Sequence, residues 1–238
     1  SFVVPEKYKD KQLMVEFDGA YMNAEVYLNG KKLGDHPYGY TAFAFDLTDG
    51  LICDGKTENV LVVKTNNQIP SSRWYSGSGI YRDVTLTVTD DVHVGYNGTQ
   101  IIAQDLEANK NGTVEVDITT TVENDSDTTK TVTVKNTLLD ETGKVASNTT
   151  TSQVEIAADS VQDIEQSVNV EKPELWSVDD ANMYKMKTEI VENDEVLDTY
   201  ETDYGFRYYN FDKDTGFSLN GEKMKLKGVS MHHDQGSL

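Results

Sequence analysis

The sequence predicts an all-β chain, and three observations carry that prediction. Apolar and polar residues alternate with period two through "QLMVEFDG", "AEVYLNGKKLG", "NVLVVKTNN", "VTLTVTDD", "VEVDITTTVEN", "KTVTVKNTLLD" and "KMKTEIVEND". Such alternation lays one face of a strand on a core and the other in water. Turn pairs punctuate these runs: Asn29-Gly30, Asp54-Gly55, Asn111-Gly112, Asn193-Asp194 and Asn220-Gly221. They supply the positive φ values that tight hairpins require. Finally, no stretch shows the 3.6-residue period of an amphipathic helix, and threonine, suited to half-exposed sheets, crowds residues 113–151.

Two boundaries divide the strands. Near 89–92, "VTDDVHV" closes one strand and opens the next with no turn glycine, the pattern of a short tether between sandwiches. Residues 91–203 then hold about seven strands, the size of an immunoglobulin-like sandwich, with Pro173 in a loop and Trp176 expected over one end of its core. The second boundary lies near 204, after which "FSLNGEKMKLKG" predicts a hairpin turning at Asn220-Gly221.

Composition narrows the partners. The chain has 238 residues, 41 acidic against 21 basic, for a formal charge of −20. Residues 91–203 alone carry 25 acidic and 7 basic side chains, net −18. That field repels phosphate backbones and anionic lipid, so neither nucleic acid nor a membrane is an expected partner. A solvated surface is the plain explanation of the acidity, with calcium binding as the alternative. Cys53 is the single cysteine, which excludes an intrachain disulfide and a thiolate metal cage and leaves a small apolar filler. No apolar run approaches a membrane span, and "SFVVPEKYKDKQ" lacks the pattern of a signal peptide. Localisation stays open between a bacterial cytoplasm and export.

Three blocks carry a resemblance: "YLNGKKLGDHPYGYTAFAFDLTDGL", "SSRWYSGSGIYRDVTL" and "YGFRYYNFDKDTGFSLNGEKMKLKGVSMHHDQGSL". In this order they resemble motifs of glycoside hydrolase family 2, in its β-galactosidase branch. The resemblance implies a sugar-binding jelly-roll domain over 1–90, N-terminally incomplete, and an immunoglobulin-like domain over 91–203. Residues 204–238 would then begin a catalytic (β/α)8 barrel, with "MKLKGVSM" as its first strand and "HHDQGSL" as the loop at that strand's C-terminal end. Barrel active sites are assembled from such loops. A retaining glycosidase needs two carboxylic acids; in this family both are glutamates on later barrel strands, beyond residue 238. The chain alone is therefore expected to hydrolyse nothing, and no catalytic residue or cofactor is assigned within it.

Substrate contact in the intact enzyme is expected from six residues. Strand geometry points His232 and Asp234 to one side and His233 to the other; by resemblance His232 matches a histidine lining the galactosyl pocket. A structural role and a metal-binding role remain as alternatives for this trio. Arg73, Trp74 and Tyr75 could stack on and hydrogen-bond a sugar, or plug a domain interface. One branch of the family carries a sodium-binding aspartate just before the tryptophan; Ser71 and Ser72 stand there, so no metal site carries over. "GSGIYR" runs into a strand instead of a helix, which argues against a phosphate loop. Arg82 and Arg207 are expected to anchor junctions from within strands through buried pairing, and Tyr40, Phe43 and Phe45 to pack the first core. The sequons at Asn97, Asn111, Asn124 and Asn148 reflect composition.

The expected partner is thus a carbohydrate, a β-galactoside, in carbohydrate metabolism. The alternatives are a stand-alone carbohydrate-binding module and a family 2 β-glucuronidase or β-mannosidase. Lost strands before residue 1 would leave an open edge in the first sandwich, to be met by a smaller closed sheet or by a homo-oligomeric contact.

Overall fold

The computed structural model describes residues 1–68 and 76–230. These fall into two compact units, the first made of residues 1–90 with Val229 and Ser230, the second of Asp91–Gly228. Almost every element is a strand. The exceptions are two 3-10 turns and one short helix, Leu106–Asn109.

The first unit contains β1 (Phe2–Val3), β2 (Gln12–Phe17), β3 (Ala20–Tyr21), β4 (Ala24–Leu28) and β5 (Lys31–His36). It continues with β6 (Phe43–Asp46), β7 (Glu58–Asn59), β8 (Leu61–Lys64), β9 (Gly79–Ile80) and β10 (Val84–Thr89). Two three-stranded sheets, ordered β10-β2-β6 and β5-β4-β8, form its body, and β1-β7 and β3-β9 are short pairs at its margins. The alternation of β2 sends Leu13, Val15 and Phe17 inward, and that of β4 sends Ala24, Val26 and Leu28 inward to meet them. Phe17 is wholly buried and stacks on Phe43 at 5.1 Å; burial of such a ring contributes about 2–3 kcal/mol. Phe43 and Phe45 join this core as expected. Cys53 packs at its edge, where burial, with Asp54 adding to it, pushes the thiol pKa up; an un-ionised thiol is inert.

A buried asparagine ties the loops of this unit. Asn59 Oδ1 accepts from Ile52 N (2.8 Å) and Asn29 Nδ2 (2.9 Å), and Asn59 Nδ2 returns a bond to Ile52 O (2.9 Å). Asn29 itself sits at φ +49 and Gly30 at φ +83, the hairpin turn between β4 and β5. Among the described residues β10 pairs on one side only, with β2, and its Val84 and Leu86 remain exposed. Among the described residues this sheet is open at β10.

The second unit's first strand is β11 (Val92–Ala103), separated from β10 by Asp90 and Asp91. It proceeds through β12 (Thr113–Asn124), β13 (Lys130–Leu139), β14 (Val145–Thr150), β15 (Val154–Ile156), β16 (Ser160–Glu171), β17 (Tyr184–Glu192) and β18 (Glu195–Tyr204). One sheet runs β11-β12-β16 and the other β14-β13-β17-β18, with β15 also pairing β13. Side chains of β18 close the seam to β11: Val94 N donates to Asp198 Oδ2 (2.9 Å), Thr99 bonds Thr202 (2.7 Å), and Ala103 N donates to Tyr204 Oη (3.2 Å).

The interior of this sandwich is divided. One apolar cluster gathers around Ile118, Leu138, Met186 and Phe206, the other around Val122, Val134, Ile164 and Ile190. Between them each of four strands turns one polar residue inward: Thr120, Asn136, Gln166 and Thr188. Asn136 Nδ2 donates to Gln166 Oε1 (2.9 Å) and Thr120 Oγ1 (3.4 Å), while Gln166 Nε2 reaches Val134 O (3.3 Å). The bonds cross from one sheet to the other.

Three short strands follow β18: β19 (Tyr209–Asp212), β20 (Gly216–Leu219) and β21 (Glu222–Lys223), a sheet of their own. The predicted hairpin is present, turning at Asn220 (φ +53) and Gly221 (φ +85). The strand expected over "MKLKGVSM" is not formed in residues 224–230. Met224 N still donates to Phe217 O (3.1 Å), and the chain then leaves the sheet with Leu226 and Val229 exposed. A parallel barrel strand is held by ladder bonds to its neighbours, and the described residues contain none.

Candidate functional site

The six residues expected to contact substrate, Arg73, Trp74, Tyr75, His232, His233 and Asp234, lie outside the described residues. The structure describes the framework that flanks each trio.

In the first unit the described residues on either side of 69–75 are tied together. Asn67 Nδ2 donates to Ser76 O (3.2 Å) and to Ser76 Oγ (3.4 Å). On the entering side Asn66 N donates to Met22 O (2.8 Å); on the leaving side β9 pairs with β3. Beside this tie stands a group of tyrosines. Tyr40 meets Tyr21 (5.2 Å), Tyr38 (5.7 Å) and Tyr81 (6.4 Å) edge-to-face, and Tyr38 is 57% exposed. Tyr81 Oη donates to Gly39 O (2.8 Å). Glycine is required by space here: a Cβ on Gly19 would come within 2.8 Å of the Tyr81 ring, and one on Gly39 within 2.3 Å of the Tyr21 ring. Tyrosine faces and hydroxyls suit the C–H faces and hydroxyls of sugars. Tyr40, expected in the core, belongs to this half-buried group instead. The sequence signal that could have found it is "HPYGY" followed at distance by "GIYR", each supplying rings beside a glycine.

Arg82 departs from its expected role. It is exposed, lies outside any strand, and spreads over the Tyr81 ring at 5.2 Å with Nη1 3.4 Å from Asp18 O. Arg207 does the same in the second unit, exposed and 5.0 Å from the Trp176 ring. A guanidinium gains cation–π attraction on an aromatic face without losing its water, so neither arginine needs a buried acid. Trp176 in turn lies against Gly205, where a Cβ would approach it to 3.1 Å; the buried Phe206, edge-on to Tyr184 at 4.9 Å, fills the end of the core expected of Trp176.

The turn of the final hairpin is docked on this corner. Asn220 Nδ2 donates to Trp176 O (2.9 Å), Asn220 N donates to Tyr208 O (2.8 Å), and Tyr208 N donates to Asn220 Oδ1 (3.2 Å). One asparagine thus ties the turn of this hairpin to Trp176 and Tyr208. A further concavity of 410 Å³ lies between Lys9, Lys11, Cys53 and Asp54, but its acid is engaged by the backbone and hydroxyl of the 54–57 turn.

Comparison with known proteins gives these features a context. Residues 1–90 match the family described as "Glycosyl hydrolases family 2, sugar binding domain", and residues 99–207 match "Glycosyl hydrolases family 2". A β-galactosidase of Bacteroides ovatus is 40% identical over all of this chain and 27% of its own length. A putative β-glucuronidase of Formosa agariphila is 37% identical over 95% of the chain and 20% of its own length. The crystal structure of a glycosyl hydrolase family 2 member from Bacteroides cellulosilyticus superposes with a TM-score of 0.89 at 31% identity, over 99% of this chain and 30% of that one. The chain thus spans about a quarter of the length of the curated relatives it matches.

The order of the two β-units is the order of the two family matches. The chain belongs to glycosyl hydrolases family 2, as its sugar-binding domain followed by its immunoglobulin-like domain.

Proposed function

We propose that this chain is the non-catalytic N-terminal portion of a retaining β-galactosidase, with residues 1–90 and 91–203 as its two supporting domains and 204–238 as the start of its barrel. The observation that supports this most strongly is the 40% identity to a β-galactosidase over the whole of the chain. In the whole enzyme Arg73, Trp74 and Tyr75 would reach the substrate from the first domain, and His232, His233 and Asp234 from the first barrel loop. The tie between Asn67 and Ser76 and the docked turn at Asn220 would hold the two approaches. The acid/base and the nucleophile belong to the rest of the barrel. The chain itself supplies binding and orientation, which convert affinity into rate only when reacting groups are present.

A β-glucuronidase is the second reading, favoured by the 37% identical relative so named. Glucuronate differs from galactose by the configuration at C4 and by a carboxylate at C6, and the carboxylate asks for a cationic partner. The purified chain should leave nitrophenyl β-galactoside and nitrophenyl β-glucuronide intact. The longer polypeptide should cleave the galactoside faster, and preference for the glucuronide would replace the first reading by the second. Calorimetric titration of the chain with lactose tests the binding-module alternative: micromolar binding would support it.

A further inference from the structure

We propose that His93, Glu123 and Asp125 form a site for a first-row divalent cation, zinc by preference, on the outer face of the second sandwich. Strand register brings them together. His93 on β11 stands directly opposite Glu123 on β12, and Asp125 continues the same row, its N–H bonded to Asp91 O at 2.9 Å. Val92 and Val94, the neighbours of His93, point into the core, so His93 points out of it. Its Nε2 lies 3.7 Å from Glu123 Oε2 and its Nδ1 3.7 Å from Asp125 Oδ2. One donor atom from each of the three lies within 4.8 Å of the others.

These separations are too long for hydrogen bonds, and they run to the two different ring nitrogens, so an ion on one nitrogen needs the carboxylate beside the other to swing towards it. Ligands about 2.0 Å from a tetrahedral ion stand about 3.3 Å apart, so modest rotation of the two carboxylates closes the set. The imidazole is the fixed member, its side chain 13% exposed; the carboxylates, at 33% and 44%, face the solvent from which an ion enters.

A second observation concerns space. Gly95 is buried on β11, and a Cβ there would lie 2.5 Å from Glu123 Oε1. Its backbone is not among those with positive φ, so the glycine answers to room for the carboxylate and not to a turn. It lies where the β11-β12 register shifts, between Val94 and Thr99; bulges of this kind re-aim side chains beside sites. The glycine is thus a cradle for a carboxylate folded back along the strand on which His93 sits.

The donor set selects the ion. An imidazole nitrogen with two carboxylates suits zinc, cobalt or nickel, whereas calcium and magnesium prefer oxygen alone. The net charge of −18 over residues 91–203 draws cations to this unit. Three protein ligands leave a position for water, and the bound ion would clamp β11 to β12 where the unit begins. Sequence patterns missed the site because thirty residues separate the histidine from its carboxylates.

The test uses the purified chain, freed of metal by chelation, with zinc chloride followed by calorimetry and cobalt chloride by visible absorption. One equivalent of zinc should bind, cobalt should develop a ligand-field band, and zinc should raise the melting temperature. His93→Gln and Asp125→Asn, the latter at an exposed position, should each weaken zinc by about tenfold or more, with unchanged circular dichroism. Gly95→Ala should weaken it by displacing Glu123. Zinc affinity retained in either ligand variant, no binding at all, or calcium bound as tightly as zinc would overturn the proposal and leave an adventitious ion only.

Discussion

Thr188 donates a 2.5 Å hydrogen bond to Asn136 Oδ1 from the directly opposite position on the neighbouring strand, and both side chains are fully buried. Asn136 passes the connection to Gln166 and Thr120 on the facing sheet. Replacing Asn136 by alanine leaves the polar atoms of these partners without their bonds inside the core. An unsatisfied buried group costs about 1–3 kcal/mol, so Asn136→Ala should lose at least about 2 kcal/mol in urea unfolding. Thr188→Val, which removes one hydroxyl and keeps the volume, should lose less.

Asn124 offers a chemical test as well as an energetic one. It carries a sequon, yet it is fully buried, and its Nδ2 donates to Thr128 O (2.9 Å), Ile156 O (3.1 Å) and Ala157 O (2.9 Å). Folded protein offered to a glycosylating enzyme should stay unmodified at Asn124, as mass spectrometry would show. Asn124→Ala should destabilise by about 2–3 kcal/mol through the stranded carbonyls.

Asp54 predicts a pH dependence. Bonds from the Thr57 hydroxyl, then from Thr57 N and Lys56 N, hold its pKa at about 2, below the ordinary 3.8. A carboxylate whose pKa is lowered on folding stabilises the fold above its unfolded pKa, and that stabilisation disappears as pH falls through the folded value. The loss attributable to Asp54 should therefore fall between about pH 3.8 and 2. Carboxyl NMR titration should place its midpoint near the lower limit, and Asp54→Asn should flatten the stability profile in that window.

The Asn220 turn governs the last strands. Asn220→Ala removes the bonds to Trp176 O and from Tyr208 N. Amide hydrogen exchange over residues 217–223 should accelerate while the protection of β12 and β17 is retained. Equal acceleration in all three would mean that the hairpin is not a separately anchored element.

The alternation in β12, β13 and β17 was legible because each strand has one wet and one dry face, and so were the turns at Asn29-Gly30 and Asn220-Gly221, where the positive φ is local. The shift in β11 was not legible: "VTDDVHV" marks where the strand opens, but only its pairing with β12 shows that the ladder resumes at Thr99. The cationic stacks of Arg82 and Arg207 were not legible, because strand geometry alone does not tell which ring a long side chain will cover. The same holds for His93: its partners are fixed by the pairing of β11 with β12, not by spacing. Tyr40 was grouped with Phe43 and Phe45, yet it stands three residues before Phe43, outside their alternation.

A sheet patterned by simple alternation can slide by two residues and still turn its oily side inward. In this second sandwich such a slide would carry an amide or a hydroxyl past its counterparts and strand it among aliphatic side chains. The polar stratum through Thr120, Asn136, Gln166 and Thr188 therefore acts as an index mark: it admits one alignment of the four strands, and every loop hung from them inherits that alignment.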